Sequence, residues 1–474
     1  MDQNTKIRTA VVLVDGICPF SQNEGIINPV FQKKIGGLTL FERIAHVSRK
    51  AGVERLLVSG WSEPEAVRLL QGKVFRDLEI KFLDSMPSAT GDAFKDVEAE
   101  IQGESNFFFI SGDCVFEPNT LKELNWKADL LCRFDAIAAI SESGLSGDCP
   151  LGLEIQGDHV SRVFYPRETK NDCVPCPGLF LGNRNFLDAV LKAQATERAG
   201  WLDALQKACE AKKLGLHDVG DSLLLYAGAK KALRDAEKKV YQRLIKKTDG
   251  FLAAHINRRI SLFITKFLVK TSLTPNNVTL INLAIGLIGA VFFAVGGYGP
   301  ALAGALVFQL SSITDGCDGE IARLKFLESR FGGWLDIFCD NLTHIAVFAG
   351  IAYGAYRIEP APYLFYCGWL AVLGTLMSFL LVAFQLYRKE STKGPLFTSV
   401  MENRAGMGKG MENILNAQDS LARRDFTYLL LLFALLGYSK YFLALTAIGS
   451  NIFWMLLVFS WIKRPPRGII ITCL

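Results

Sequence analysis

The sequence predicts a soluble α/β domain with a mostly parallel sheet, followed by an all-α polytopic membrane domain of about six transmembrane helices. Two observations carry this. In the first half of the 474 residues, short apolar runs alternate with charged stretches, the rhythm of strands and surface helices. In the second half, apolar blocks approach the roughly 20 residues that a helix needs to cross a bilayer's hydrocarbon. The hydrophobic share of 50% averages over these unlike halves, which part near residue 250.

In the first half, strand-like pieces at 9–14, 55–59 and 80–83 alternate with helix-like pieces at 40–51 and 63–70, an order that puts helices on both faces of a parallel sheet. Residues 229–248, rich in Lys, Arg, Ala and Glu, read as a helical connector. From 251 to 270, Phe251, Ile256, Ile260, Phe263 and Phe267 recur at helical spacing, with Arg258, Arg259, Lys266 and Lys270 between them. This fits an amphipathic helix lying in the membrane interface; a soluble helix packed on the first domain would show the same pattern. The expected domains are 1–230, a connector at 231–273, and a membrane domain at 274–474.

The expected spans are 278–297, 300–322, 331–356, 363–386, 426–438 and 441–462, the fifth being short enough to be a buried helix instead. If six helices alternate, Lys325, Arg330, the basic stretch 388–424, Lys463, Arg464 and Arg467 fall on one side, leaving chiefly Arg357 and Lys440 opposite. The positive-inside rule then puts the loops, and the first domain, in the cytoplasm of a multi-pass protein of the cell (inner) membrane. No basic segment followed by a long apolar stretch opens the sequence, so no secretory signal is expected. The net charge of +5 suits anionic lipid and makes no case for nucleic acid. Of the 11 cysteines, only Cys173 and Cys176 have C-x-x-C spacing, which fits structural thiols or half of a metal site.

Chemistry concentrates in the second and third blocks. Asp315 and Asp318 are three apart, and Asp336 and Asp340 four apart, so each pair points from one face of a helix. Acids are costly inside a membrane and mark function there. Facing one another they would make an all-oxygen cage for hard cations, whose charge offsets their repulsion. The competing reading is a helix-end cluster of salt bridges with Arg323, Lys325 and Arg330. Another class of protein, a membrane ion or metal transporter, would require acids spread over several spans.

Residues 315–340 also resemble, without a gap, the CDP-alcohol phosphatidyltransferase signature D-x2-D-G-x2-A-R-x8-G-x3-D-x3-D. Eight fixed positions at roughly 5% each give a chance match on the order of 10⁻¹⁰ per window. Thr274, Pro275, Asn276 and Thr279 look like that family too. The resemblance implies a metal-dependent transfer of a phospho-alcohol group from a CDP-alcohol to an acceptor hydroxyl, releasing CMP. It implies two divalent cations, Mg²⁺ or Mn²⁺, on Asp315, Asp318, Asp336 and Asp340, with Asp336 and Asp340 catalytic and Asp340 the base. It also implies CDP contacts at Asp315, Asp318, Gly319, Ala322, Arg323 and Gly332, and a homodimer. Gly286, Gly289, Ala301 and Gly304 would permit close helix contacts. In the basic connector, Lys409, Arg423 and Arg424 either bind an anionic acceptor, such as an inositol phosphate, or simply form a positive-inside loop.

The order of domains resembles the bifunctional inositol-1-phosphate cytidylyltransferase and di-myo-inositol phosphate phosphate synthase proteins, which implies a Rossmann-type, nucleotidyltransferase-like first domain. Ile35, Gly36, Gly37 and the helix at 40–51 look like the segment after that family's phosphate loop. Ser111, Gly112 and Asp113 resemble its metal-binding turn, and Asp218 to Asp221 match a late strand. Elsewhere the pattern fails. The first strand feeds Asp15, Gly16, Ile17, Cys18, Pro19 and Phe20 rather than Gly-x-Gly-x-Arg, and Pro19 has no N–H to offer a phosphate. Val30 and Phe31 replace an expected Lys-Pro, and Tyr226, Ala227 and Gly228 replace a second metal-binding Asp-x-Asp. The expectation is a nucleotidyltransferase fold that no longer makes CDP-inositol; the alternative is a fully bifunctional enzyme.

Overall fold

The computed structural model describes residues 7–13, 32–59, 77–83, 104–141, 149, 151–165, 173–194, 200–245, 256–388 and 426–463. The expected helix at 63–70, the loop at 15–20, Val30, Phe31, and the connector with Lys409, Arg423 and Arg424 lie outside them. The chain forms two units, Met1–Gln242 and Arg243–Leu474.

The strands of the first unit are β1 (Thr9–Leu13), β2 (Lys34–Ile35), β3 (Leu38–Thr39), β4 (Arg55–Ser59), β5 (Glu79–Leu83), β6 (Asn106–Ser111) and β7 (Cys114–Phe116). They continue with β8 (Ala136–Ile140), β9 (Gly152–Gln156), β10 (His159–Phe164), β11 (Val174–Pro175), β12 (Leu179–Asn183), β13 (Leu214–Asp218) and β14 (Leu224–Tyr226). The helices are α1 (Leu40–Ala51), α2 (Pro118–Asn125), α3 (Arg184–Gln194), α4 (Gly200–Glu210) and α5 (Lys230–Gln242).

Local chemistry sets these boundaries. Thr39 opens α1 with a capping box: its hydroxyl accepts from the Glu42 N–H at 3.2 Å, and Glu42 accepts from the Thr39 N–H at 2.8 Å. Gly52, at φ 98°, closes it in the left-handed conformation. The ten-stranded sheet has the order β11-β9-β10-β13-β8-β12-β6-β1-β4-β5. β1, wholly buried, pairs in parallel with β4 and β6.

The sheet is mixed, which corrects the mostly parallel expectation. β12 runs antiparallel between β6 and β8, and β9, β10 and β11 are antiparallel neighbours. Connection length accounts for β9 and β10: parallel neighbours need a crossover of a dozen or more residues, and only Gly157 and Asp158 separate these two strands. Asp218 ends β13, and Val219 to Asp221 form the turn beyond it, so only the first of these residues belongs to the late strand.

The second unit is helical: α6 (Arg258–Leu268), α7 (Pro275–Val295), α8 (Tyr298–Leu324), α9 (Arg330–Ile358), α10 (Pro362–Arg388), α11 (Phe426–Leu435) and α12 (Ser439–Lys463). Four of them, α7, α9, α10 and α12, are long and apolar enough to cross a membrane. α8 has the length, but Gln309, Asp315, Asp318 and Glu320 dilute its apolar character. α11 has 10 described residues, a rise of only about 15 Å. The helices alternate in direction. At one end the Tyr298 hydroxyl of α8 donates to the Leu435 carbonyl of α11 at 3.1 Å, and Lys440 pairs with Glu359. Lys325 and Arg330 lie at the other.

The small residues of α7 and α8 are used within the chain. A Cβ on Gly286 would lie 2.3 Å from Thr343 of α9, and one on Gly304 would lie 2.9 Å from the Gly289 carbonyl. These glycines therefore bring helices of one bundle together. α6 turns its polar side inward, burying Ser261 and Thr265, and exposes Ile260, Phe263 and Phe267.

Candidate active site

The C-terminal third of α8 and the first turns of α9 carry the acids. Ser329 fixes where α9 starts, its hydroxyl accepting from the Gly332 N–H at 3.0 Å. Gly332 is hemmed in there: a Cβ would stand 3.0 Å from both Asn276 Oδ1 and Ser329 Oγ. Asp336 and Asp340 then follow on one face of α9.

Asp315, Asp336 and Asp340 each present a carboxylate oxygen within 4.8 Å of the others. Three charges so close repel by something like 3 kcal/mol per pair at an effective dielectric near 20. An all-oxygen set of this kind fits a hard divalent cation, which offsets that repulsion. Among the described residues this is the set of potential ligands that converges.

Asp318 stands beside this set. Its Oδ2 accepts from the Thr279 hydroxyl of α7 and its Oδ1 from the Gly319 N–H. Asp315 and Asp318 are buried, while Asp336 and Asp340 are half-buried. The guanidinium of Arg323 lies over Gly319, where a Cβ would come within 3.2 Å of Nη1. Ala322 follows Asp318 by one helical turn.

Sequence reading missed Asn282 of α7. Its Oδ1 accepts from Ser311 at 3.0 Å and Thr314 at 2.8 Å, which turns the amide so that Nδ2 donates to Asp315 Oδ1 at 3.2 Å. A lone Asn in an apolar block, three residues after Thr279, was the available signal. His344 was missed as well: it shares a pocket with Asp315, Asp340 and Asn282, its ring against Phe308 and Phe426.

The CDP-alcohol phosphatidyltransferase profile matches residues 272–462, and the inner membrane protein YnjF of Escherichia coli is 33% identical over 170 residues, 35% of this chain and 78% of that protein. The chain belongs to the CDP-alcohol phosphatidyltransferase family. As a member it is a CDP-alcohol phosphotransferase, with a CDP-alcohol as donor and an alcohol as acceptor, and a protein of membranes. A relative described as a bifunctional IPC transferase and DIPP synthase, from Rubrobacter xylanophilus, is 28% identical over 326 residues, 68% of this chain and 72% of that one. That match is longer than the second unit, so it reaches into the first. For two further relatives of the same description the match spans 32% and 45% of their length. Among solved structures, the inositol-1-phosphate CTP transferase from T. maritima is 19% identical, over 49% of this chain and 96% of that one, with a TM-score of 0.36.

In the first unit, Asp113 is 2% exposed, and the Ser111 hydroxyl donates to it. Burial outweighs that bond and pushes its carboxyl up to about 6. β14 pairs with β7, and the Ala227 N–H donates to the Asp113 carbonyl at 2.8 Å. Tyr226, Ala227 and Gly228 therefore stand next to Asp113. The Tyr226 ring covers Gly228: a Cβ there would lie 2.1 Å from the Tyr226 hydroxyl oxygen. Cys176 is buried, its thiol pushed up to about 12 by that burial, and the Cys149 thiol donates to the Cys176 carbonyl at 2.9 Å.

Proposed function

We propose that Asp315, Asp318, Asp336 and Asp340 hold two divalent cations, Mg²⁺ or Mn²⁺, at which a soluble CDP-alcohol such as CDP-inositol gives its phospho-alcohol group to an inositol-phosphate hydroxyl. The observation that carries this reading is the convergence of Asp315, Asp336 and Asp340 beside the Gly319–Arg323 turn. Bound there, the cations would supply charge neutralisation for the donor's diphosphate. Asp340 takes the proton of the acceptor hydroxyl. The acceptor oxygen then bonds to the phosphorus that carries the alcohol, the bond from that phosphorus to the oxygen of CMP breaks, and CMP leaves. Arg323, above Gly319, suits the diphosphate by its fork of donors, and Asp315, Asp318, Ala322 and Gly332 are further candidates for contact with CDP. Lys409, Arg423 and Arg424 are candidates for the acceptor's phosphate.

The membrane domain crosses the inner membrane six times, with α8 and α11 completing the four apolar helices, and the first domain is cytoplasmic. The alternation of the helices with Lys325 and Arg330 at one end supports this orientation. The exposed Ile260, Phe263 and Phe267 of α6, with Arg259, Lys266 and Lys270, support its contact with lipid. The first domain is a degenerate nucleotidyltransferase, a reading supported by Tyr226, Ala227 and Gly228 standing beside Asp113 where the resemblance expects a second Asp-x-Asp. The expected domains 1–230, 231–273 and 274–474, and a homodimer, complete the reading.

A fully bifunctional enzyme is the second reading, favoured by the match that reaches into the first unit. The deciding experiment is CMP release by purified protein in lipid, with metal and a panel of CDP-alcohols and acceptors, beside Asp336→Asn. Release by the unaltered protein alone, with metal, supports the proposal; no metal dependence sinks it. Consumption of CTP with inositol-1-phosphate would favour the second reading.

A further inference from the structure

Between Asp318 and Arg323 stands an acid that phosphotransfer leaves without a task. Glu320 is 0% exposed. A carboxylate so placed in a membrane domain must be paired and hydrogen-bonded to be tolerated. Three partners come from α6: the Ser261 hydroxyl donates to Oε1 at 2.7 Å, the Thr265 hydroxyl to Oε2 at 2.7 Å, and Arg258 Nη1 to Oε1 at 3.0 Å. Arg258 is itself only 14% exposed. Its Nη1 lies over Gly316, where a Cβ would stand 2.8 Å away.

Gly316 and Glu320 are one turn apart on the side of α8 that meets α6, whereas Asp315 and Asp318 leave the same turns toward α7. Cys317 and Ile321 seal the junction, packed against Ile264 and Leu268. α6 therefore grips the back of the helix whose front carries two of the site's acids.

We infer that Glu320 is a positioning residue: with Arg258, Ser261 and Thr265 it sets the rotation at which α8 presents Asp315 and Asp318 to a cation. The inference rests on the phosphotransfer reading of those acids. Glu320→Gln keeps the shape, but it offers one acceptor oxygen where Ser261 and Thr265 donate to two, and it removes the negative charge that faces Arg258. The Arg258 charge, over Gly316 on the same stretch of α8, then repels a cation at Asp315 and Asp318 with less to offset it.

The test is a Mn²⁺ titration of the full chain in lipid nanodiscs, followed by electron paramagnetic resonance, with CMP release measured on the same samples. E320Q should weaken Mn²⁺ binding about tenfold, the scale of groups that support a metal ligand. The metal needed for half-maximal CMP release should rise by the same factor, with the donor KM at saturating metal within about twofold. Arg258→Gln combined with E320Q should recover most of both losses, which damage to folding would not allow. Unchanged Mn²⁺ affinity in E320Q, or a loss that the double variant does not recover, overturns the inference. Mn²⁺ binding without any CMP release by the unaltered protein would instead count against the phosphotransfer reading, and the titration would still decide the role of Glu320.

Discussion

Each half of this chain buries an aspartate of a segment that resembles a metal-binding motif, and the two settings are opposite. In the membrane half, Asp315 meets Asp336 and Asp340 within 4.8 Å, with Asn282 fixing one of its oxygens. In the first half, Asp113 is buried beside Ser111 and faces the backbone of Ala227. A cluster of carboxylates raises a repulsion that a divalent cation relieves. A lone buried carboxylate relieves its desolvation with a proton, and Asp113 does so up to about pH 6. The contrast teaches that a motif's first aspartate says little about metal until its partners are located.

The largest test of this contrast is Asp340→Asn, which would remove the proposed base and a proposed ligand together and should lower CMP release at least about 10³-fold. Asn282→Ala should come next, lowering metal affinity by roughly 10- to 100-fold as Asp315 loses its orienting donor; a Mn²⁺ titration reads it directly.

In the soluble half, Asp113→Asn should leave CMP release within about twofold while changing stability with pH. The folded carboxyl, near 6, lies above its ordinary 3.8. The folded state therefore binds the extra proton between those values, and stability is lost as pH rises through that window, by about 3 kcal/mol in full. Thermal unfolding of the first unit within the whole chain should show this fall from pH 4 to 6, and the Asn variant should lack it. The smallest expected effect is none at all: CTP with inositol-1-phosphate should yield no diphosphate above a protein-free blank, by a coupled assay. Diphosphate release that Asp113→Asn abolishes would erase the contrast.

Much of the membrane half was legible because its function is written in short spacings. Asp336 and Asp340, four apart, must share a helix face, whatever the rest of the bundle does. The partners of Asp315 and Asp318 were harder to see, since Asn282 and Thr279 reach them from another helix and no local rule pairs residues so distant. Glu320 occupies a variable position of the signature, and only the packing of α6 gives it partners. In the soluble half, α1 was legible from Thr39, Glu42 and its apolar period. The direction of β12 was not, because alternation of strands and helices carries no sign, and its sheet neighbours β6 and β8 lie far from it in the sequence. The neighbourhood of Tyr226 and Asp113 was not legible locally either, because it is the pairing of β7 with β14 in one ribbon that brings them together.

That ribbon also bears on how this protein can change over generations. A carboxylate introduced at Gly228 meets the Tyr226 hydroxyl, and replacing Tyr226 alone supplies only one of two acids beside a single Asp113. Neither single step gains a cation, and the first is obstructed sterically. An acid at Gly228 is therefore open only after Tyr226 has been replaced, so the order of the two substitutions is fixed by the ring of one tyrosine.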